Sequence, residues 1–356
     1  MRDEKRIGRK EKLNYTEECA FSRPYRESLN EQIEGFVASR QSAAEARRQK
    51  NFSARYPAQK EQLREEYVKM LGFPLDRYGE LPAGGWTQKT LVTECYDCRV
   101  YRVRYAVVDG LEGYGLFFEP LEKKSEKTPL VLCCHGGSGT PEVVASFVMD
   151  SANYHHMVRR ALSYGVAAFA PQLYMWNKEI YGPDYDREKV ANALTQLDGS
   201  MTALEVTLIR KGLDAALAGE EWLDPDRIGF VGLSYGGMYA IATAACDPRI
   251  RAVYSSCQFN DRAKINWTDW SYRGAAETFF DAETAALIAP RALFLEVADK
   301  DEIFPPEGAQ RAFETLKTYY EKAGADALCF RVFPGGHELA QDDAGYAFLM
   351  KHLSVK

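Results

Sequence analysis

A chain of 356 residues, 46 % hydrophobic and 27 % charged, is long enough for one large domain with an appendage and apolar enough for a packed core. Its net charge of −6 offers no electrostatic footprint for nucleic acid. The first ten residues are charged where a signal peptide needs an apolar stretch, and no run approaches the roughly 20 apolar residues of a membrane span, so a cytoplasmic protein with no membrane partner is expected.

Residues 1 to about 72 read as polar helices. Leu63, Tyr67, Met70 and Leu71 form one stripe, which Gly72 and Pro74 terminate. Basic and acidic residues alternate here, as on a solvated face, and this segment is the expected place for any homodimer contact. From Thr87 to Glu119 the apolar period changes to two, broken at Asp109-Gly110 and Glu112-Gly113, which predicts an antiparallel meander. Cys95 and Cys98 have C-x-x-C spacing without a second pair or a nearby His, and period-two placement sends the thiols to opposite faces. The eight cysteines are scattered and suit reduced core thiols.

Beyond the charged linker 121–127, strand and helix patterns alternate, the signature of a parallel sheet covered on both faces. Strands are expected at 130–134, 166–170, 228–232, 252–255, 292–297 and 329–333. Helices are expected at 141–164, 201–217, 234–245, 306–323 and 338–353. The domain reading is a helical extension over 1–84 and a catalytic domain over 85–356. Two long connections, 172–200 and 258–287, leave the strands at their carboxyl ends, and their Tyr174, Trp176, Trp267 and Trp270 are expected to wall a pocket there.

Gly232-Leu-Ser234-Tyr-Gly236 stands between an apolar strand and an amphipathic helix. In that setting a G-x-S-x-G pentapeptide lifts a serine hydroxyl out at a strand end. A serine needs a base, and of five histidines His337 stands in the glycine-rich Pro334-Gly-Gly-His337 after the last strand. His155 and His156 are expected mid-helix, in surface or packing roles. The orienting acid falls at the end of the strand 292–297: Asp301, or Asp299 if the loop register differs. His135-Gly136-Gly137 follows the first parallel strand, where a loop can supply an oxyanion-hole amide; Gly137 or its neighbour Ser138 would join the Tyr235 amide, while His135 fixes the loop.

These residues, in the chain order Ser234, Asp301, His337, resemble the α/β-hydrolase superfamily over roughly residues 85–356. Within it the chain is similar to the dienelactone hydrolase and acetyl xylan esterase-like group, although dienelactone hydrolase proper carries Cys at the Ser234 position. The resemblance implies an α/β-hydrolase fold: a mostly parallel sheet with antiparallel lead-in strands, helices on both faces and a helical N-terminal extension. It also implies a serine carboxylic-ester hydrolase for short acyl esters such as acetylated sugars, needing no cofactor or metal. Its partner would be a small-molecule or oligosaccharide ester. A prolyl-oligopeptidase-like peptidase, which shares the G-x-S-Y-G-G elbow, is the nearest alternative, and a non-catalytic binding protein on the same scaffold is a third.

Overall fold

The computed structural model describes residues 17–95, 97–147, 152–175, 185–265 and 267–355. Nine strands make one sheet: β1 (Gln88–Glu94), β2 (Cys98–Val108), β3 (Leu111–Pro120), β4 (Thr128–Cys134), β5 (Ala167–Pro171), β6 (Leu223–Leu233), β7 (Ile250–Ser256), β8 (Ala292–Ala298) and β9 (Leu328–Phe333). Their order is β1-β2-β3-β5-β4-β6-β7-β8-β9. The contacts among β1, β2, β3 and β5 are antiparallel, and every pairing from β5 through β4 to β9 is parallel. The meander and the parallel sheet expected from the change of period are both present.

The helices are α1 (Cys19–Arg55), α2 (Lys60–Leu71), α3 (Pro141–Val144), α4 (Met157–Leu162), α5 (Arg187–Gln196), α6 (Met201–Gly219), α7 (Tyr235–Cys246), α8 (Ala275–Thr278), α9 (Asp281–Ala286), α10 (Pro306–Lys322) and α11 (Ala344–His352). Two apolar cores result, one on each face. Phe169, Leu213 and Tyr239 belong to one, and Val131, Met157, Tyr254 and Leu349 to the other. β4, β5, β7 and β8 are buried almost throughout, as strands covered twice must be, whereas the edge strand β1 is exposed along its length. Among the described residues no helix is long and apolar enough to cross a membrane.

The compact units divide between Arg47 and Arg48. The first carries most of α1, with Phe21, Tyr25, Leu29, Ile33 and Phe36 exposed at helical spacing. Residues 48–84 belong to the sheet-bearing unit: Leu63, Tyr67 and Leu71 of α2 are buried, and Arg64 donates to the carbonyls of Ala245 at 2.7 Å and Leu287 at 3.1 Å. α2 stops at Gly72, where φ is 77° and an added Cβ would lie 2.1 Å from the Asp198 carbonyl oxygen, so only glycine fits.

Three local readings are corrected. The expected helix over 141–164 is broken, because Ser146, His155 and His156 take φ values of 61°, 43° and 59°, which a continuous right-handed helix cannot hold. His155 and His156 therefore precede α4. The expected helix at 338 starts only at Ala344; the intervening amides bond outward instead, Leu339 to the Asn153 carbonyl at 2.8 Å and Ala340 to Glu296 at 3.0 Å. Cys95 and Cys98 do not alternate along one strand: Cys95 follows β1 and Cys98 opens β2, with the Cys95 amide donating to the Cys98 carbonyl at 2.8 Å.

Candidate active site

Ser234 directly follows β6 at φ 58°, ψ −124°, and α7 begins with the next residue. Its amide donates to the Ser256 carbonyl at 2.9 Å, and its own carbonyl accepts from Met238 at 3.0 Å, so strand pairing passes into helix within one residue. The motif glycines are required by close approach rather than by unusual φ. A Cβ on Gly232 would stand 2.2 Å from the Gly236 carbonyl group, and one on Gly236 would stand 2.1 Å from the Cys134 carbonyl oxygen. That crowding holds the strained serine against the first turn of α7, whose leading amides have no partner within the helix.

The 135–140 loop presses on this elbow: a Cβ on Gly136 would lie 3.0 Å from the Ser234 Cβ. The Gly136 amide donates to Tyr154 Oη at 2.9 Å, and the Gly139 amide closes a turn on the Gly136 carbonyl at 3.2 Å, with Ser138 at φ 58° inside it. His135, fully buried, braces the loop. Its Nδ1 lies 2.9 Å from the Gly136 carbonyl and its Nε2 accepts from the Leu173 amide at 3.0 Å, which fixes the Nδ1–H tautomer. Burial pushes its pKa down from 6.5 to about 4. Between those values the unfolded chain takes up a proton that the folded one refuses, so acidification through this window destabilises the fold by on the order of 3 kcal/mol. His135→Gln is expected to flatten that part of the stability profile, measured by urea unfolding at intervals from neutral pH to about pH 4.5.

His337 stands in the loop after β9, with Nδ1 2.9 Å from Asp301 Oδ2. Asp301 is 4 % exposed, and its Oδ1 accepts from the amides of Ile303 at 2.9 Å and Phe304 at 3.0 Å. Burial alone would raise its pKa. The bond to His337 and the two amides outweigh burial and hold the carboxyl below its ordinary value. Asp299 is exposed and serves the same loop differently, accepting from the Gly335 amide at 3.0 Å. The structure thus brings Asp301, and not Asp299, to the imidazole.

The elbow and the histidine loop meet through Ser256. Its carbonyl accepts from the Ser234 amide, while its hydroxyl lies 2.8 Å from Glu296 Oε1 and 3.4 Å from the carbonyl of Glu338, the residue after His337. Beside them, Cys257 Sγ lies with the Asp301 and His337 donor atoms within 4.8 Å of one another, which among the described residues is the one such group able to hold a metal ion. Asp301 and His337 are already bonded to each other, and burial followed by the Asp301 charge pushes the Cys257 thiol up to about 12. The group therefore stands as an acid–imidazole pair with a protonated thiol alongside.

Aromatic rings run from the elbow to the imidazole. Tyr235 lies 5.6 Å from Trp267 and 4.5 Å from Trp270, Trp267 lies 5.6 Å from Phe304, and Phe304 stacks on His337 at 5.7 Å. Trp267 is half-buried, while Trp270 is 3 % exposed with its faces taken by Tyr235, Trp267 and the Arg262 guanidinium. Trp270 thus supports the wall from behind and has no free face for a sugar ring. Tyr174 stacks on Tyr185 at 4.9 Å; Trp176 lies outside the described residues.

A model of the alpha/beta hydrolase family matches residues 131–349, more than half of the chain and the stretch that holds Ser234, Asp301 and His337. The chain belongs to that family. It is 28 % identical over 243 residues, 63 % of its length and 77 % of the other's, to YtaP of Bacillus subtilis (strain 168), named as a candidate hydrolase. It is 25 % identical over 259 residues to the uncharacterized peptidase YuxL of the same organism, 67 % of this chain but 35 % of that one. Among solved structures, a candidate acetyl xylan esterase from Bacteroides fragilis superimposes with a TM-score of 0.64 at 17 % identity, covering 85 % of this chain and 83 % of that one. A glucuronoyl esterase from Solibacter usitatus superimposes at 0.60 and 15 % identity, covering 82 % and 91 %. At these identities the superpositions establish the α/β-hydrolase fold.

The sequence gives no sign of the residue that locks the two long connections of this α/β-hydrolase together. Arg187, 1 % exposed at the start of α5, bonds Asp269 at 2.6 Å, Glu205 at 3.0 Å, Tyr239 Oη at 2.7 Å and the Tyr174 carbonyl, with its guanidinium 5.0 Å from the Tyr235 ring centroid. An arginine outside every expected helix carries no motif, and only the fold shows that both inserts converge on it. Arg187→Met leaves Asp269 and Glu205 buried without their cation, and is expected to cost about 3–5 kcal/mol by chemical denaturation. Adding Glu205→Gln and Asp269→Asn should recover part of that loss.

Proposed function

We propose that the chain is a serine carboxylic-ester hydrolase for short-chain acyl esters, acetylated sugars among them. The observation that carries this reading is the Asp301–His337 bond beside an elbow that presents Ser234, in the chain order Ser, Asp, His. His337 Nε2 takes the Ser234 proton while Asp301 keeps the other proton on Nδ1, and Oγ attacks the ester carbonyl. The amides of Tyr235 and Gly137 hold the resulting oxyanion. His337 then protonates the departing alcohol, and water activated by the same nitrogen releases the acid. The esterases among the structural neighbours favour an ester over an amide substrate. A cytoplasmic site of action, on imported oligosaccharides or small metabolite esters, belongs to the same reading.

Hydrolysis of p-nitrophenyl esters from acetyl to octanoyl tests it: activity should be highest at acetyl and fall with chain length. The match to YuxL, named as a peptidase, keeps one competing reading in view, and faster cleavage of prolyl amides than of acetyl esters would favour it. The exposed stripe Phe21, Tyr25, Leu29, Ile33 and Phe36 is the proposed homodimer contact. Light scattering should then give twice the chain mass for the wild type and the single mass for Ile33→Glu.

A further inference from the structure

The loop of Gly136 and Gly137 follows β4 and the loop of His337 follows β9, at the two ends of the order β4-β6-β7-β8-β9. At the usual strand spacing their roots stand roughly 19 Å apart, so the sheet gives neither loop a hold on the other. In the esterase reading, a substrate carbonyl must meet the amide of one and the imidazole of the other in a single transition state. A misplacement of about 1 Å there can cost about a hundredfold in rate.

One short stretch touches both loops. Tyr154, buried, accepts the Gly136 amide on Oη at 2.9 Å, and a Cβ on Gly139 would lie 2.4 Å from the same oxygen. Its two neighbours turn to the other loop. The Asn153 carbonyl accepts from the Leu339 amide at 2.8 Å, and His155 Nε2 lies 2.7 Å from Glu338 Oε2. Glu338 carries that hold past His337, because its Oε1 accepts from the Gly336 amide at 3.1 Å. The bond to His155 keeps the Glu338 carboxyl below its ordinary pKa, so both partners face a charged acceptor at neutral pH. The residues on either side of the imidazole are therefore tied to 153–155.

The backbone is bent to make this possible. His155 and His156 stand at φ 43° and 59°, a left-handed conformation that residues with a β-carbon seldom take twice in succession. α4 begins at the next residue, and its Arg160 donates to the Ala340 carbonyl at 2.8 Å, so the stretch is rooted in a helix that also holds the trailing end of the His337 loop. We infer that Asn153-Tyr154-His155 is a positioning clamp, which ties the loop of Gly136 and Gly137 to the loop of His337 and sets the spacing between oxyanion amide and base. Tyr154 holds one loop, and His155 holds the other through Glu338. The names of the two loops rest on the esterase reading, whereas the tie between them does not.

Amide hydrogen exchange of the full chain, read by mass spectrometry, tests the tie without turnover. Tyr154→Phe, which keeps the ring and removes Oη, should speed exchange about tenfold over 335–339 as well as over 135–140, with β7 and β8 unchanged. His155→Ala should do the same to both loops, and decides alone if Tyr154→Phe melts early. A change confined in each variant to the loop it touches would overturn the clamp. Turnover of p-nitrophenyl acetate supplies the second reading. Each variant should lower kcat about tenfold with KM nearly unchanged, and the double variant should also stand near tenfold, since either break releases the same tie. His155→Gln, whose side-chain amide can still donate to Glu338, should return to within about threefold of wild type. Losses that multiply to about a hundredfold in the double variant would make the two residues independent and remove the clamp while leaving the esterase reading intact. A wild type that cleaves no ester would remove that reading instead, and exchange would then decide the clamp.

Discussion

Ser234→Ala should lower the hydrolysis of p-nitrophenyl acetate by on the order of a million-fold, the loss expected when a triad nucleophile is removed while binding and the oxyanion donors stay. Its fold should be untouched. Alanine keeps the β-carbon of serine at φ 58°, so the strain of the elbow is the same, and the Ser234 amide and carbonyl keep their bonds to Ser256 and Met238. An unchanged melting temperature together with lost activity assigns the loss to the hydroxyl. The obvious competitor is Cys257, whose sulfur lies with His337 and Asp301 in one cluster. Buried and pushed up to about 12, its thiol is a poor nucleophile at neutral pH, so alkylation by iodoacetamide should leave the wild-type rate nearly intact. Substantial activity surviving in Ser234→Ala and removed by iodoacetamide would transfer the role to Cys257.

The parts legible in the sequence are those whose cause is local or short in range. Gly232 and Gly236 announce the elbow because each lies against backbone that a β-carbon would strike, and the alternation of apolar runs announces β4, β5, β7 and β8 because strands covered on both faces have little choice of residue. Less legible are segments whose form is set by distant partners. The stretch after α3 reads as helix by composition, yet Tyr154 and His155 are drawn out of it by Gly136 and Glu338. Phe304 looks like an ordinary loop apolar until β8 and β9 bring its ring onto His337. Arg187 is invisible for the same reason: Asp269, Glu205 and Tyr239 come from three separate stretches, and no spacing rule links them. The choice between Asp299 and Asp301 is a two-residue difference in register at a strand end, which hydrogen bonding to the loop of His337 decides and periodicity does not.

Asp301→Asn is the sharper test of how that imidazole is held. The asparagine oxygen can still accept from the Ile303 and Phe304 amides, so its amide nitrogen is turned toward His337 Nδ1, where the carboxylate oxygen stood. A donor there selects the tautomer with Nδ1 bare and the proton on Nε2, the nitrogen that must be free to accept from Ser234. The turnover of p-nitrophenyl acetate should therefore fall by about 10⁴-fold with little change in KM, since the wrong tautomer impairs proton transfer and leaves the binding wall alone. Stability at acid pH should change in a defined sense as well. A carboxyl held below its ordinary pKa contributes stability that is fully present above the unfolded-state value and is lost as pH falls through the folded one. Wild type should therefore lose stability more steeply than Asp301→Asn on acidification through the carboxylate range, as read by unfolding at successive pH values. An asparagine variant of wild-type turnover would show that His337 finds its tautomer without Asp301, and would remove the acid from the mechanism.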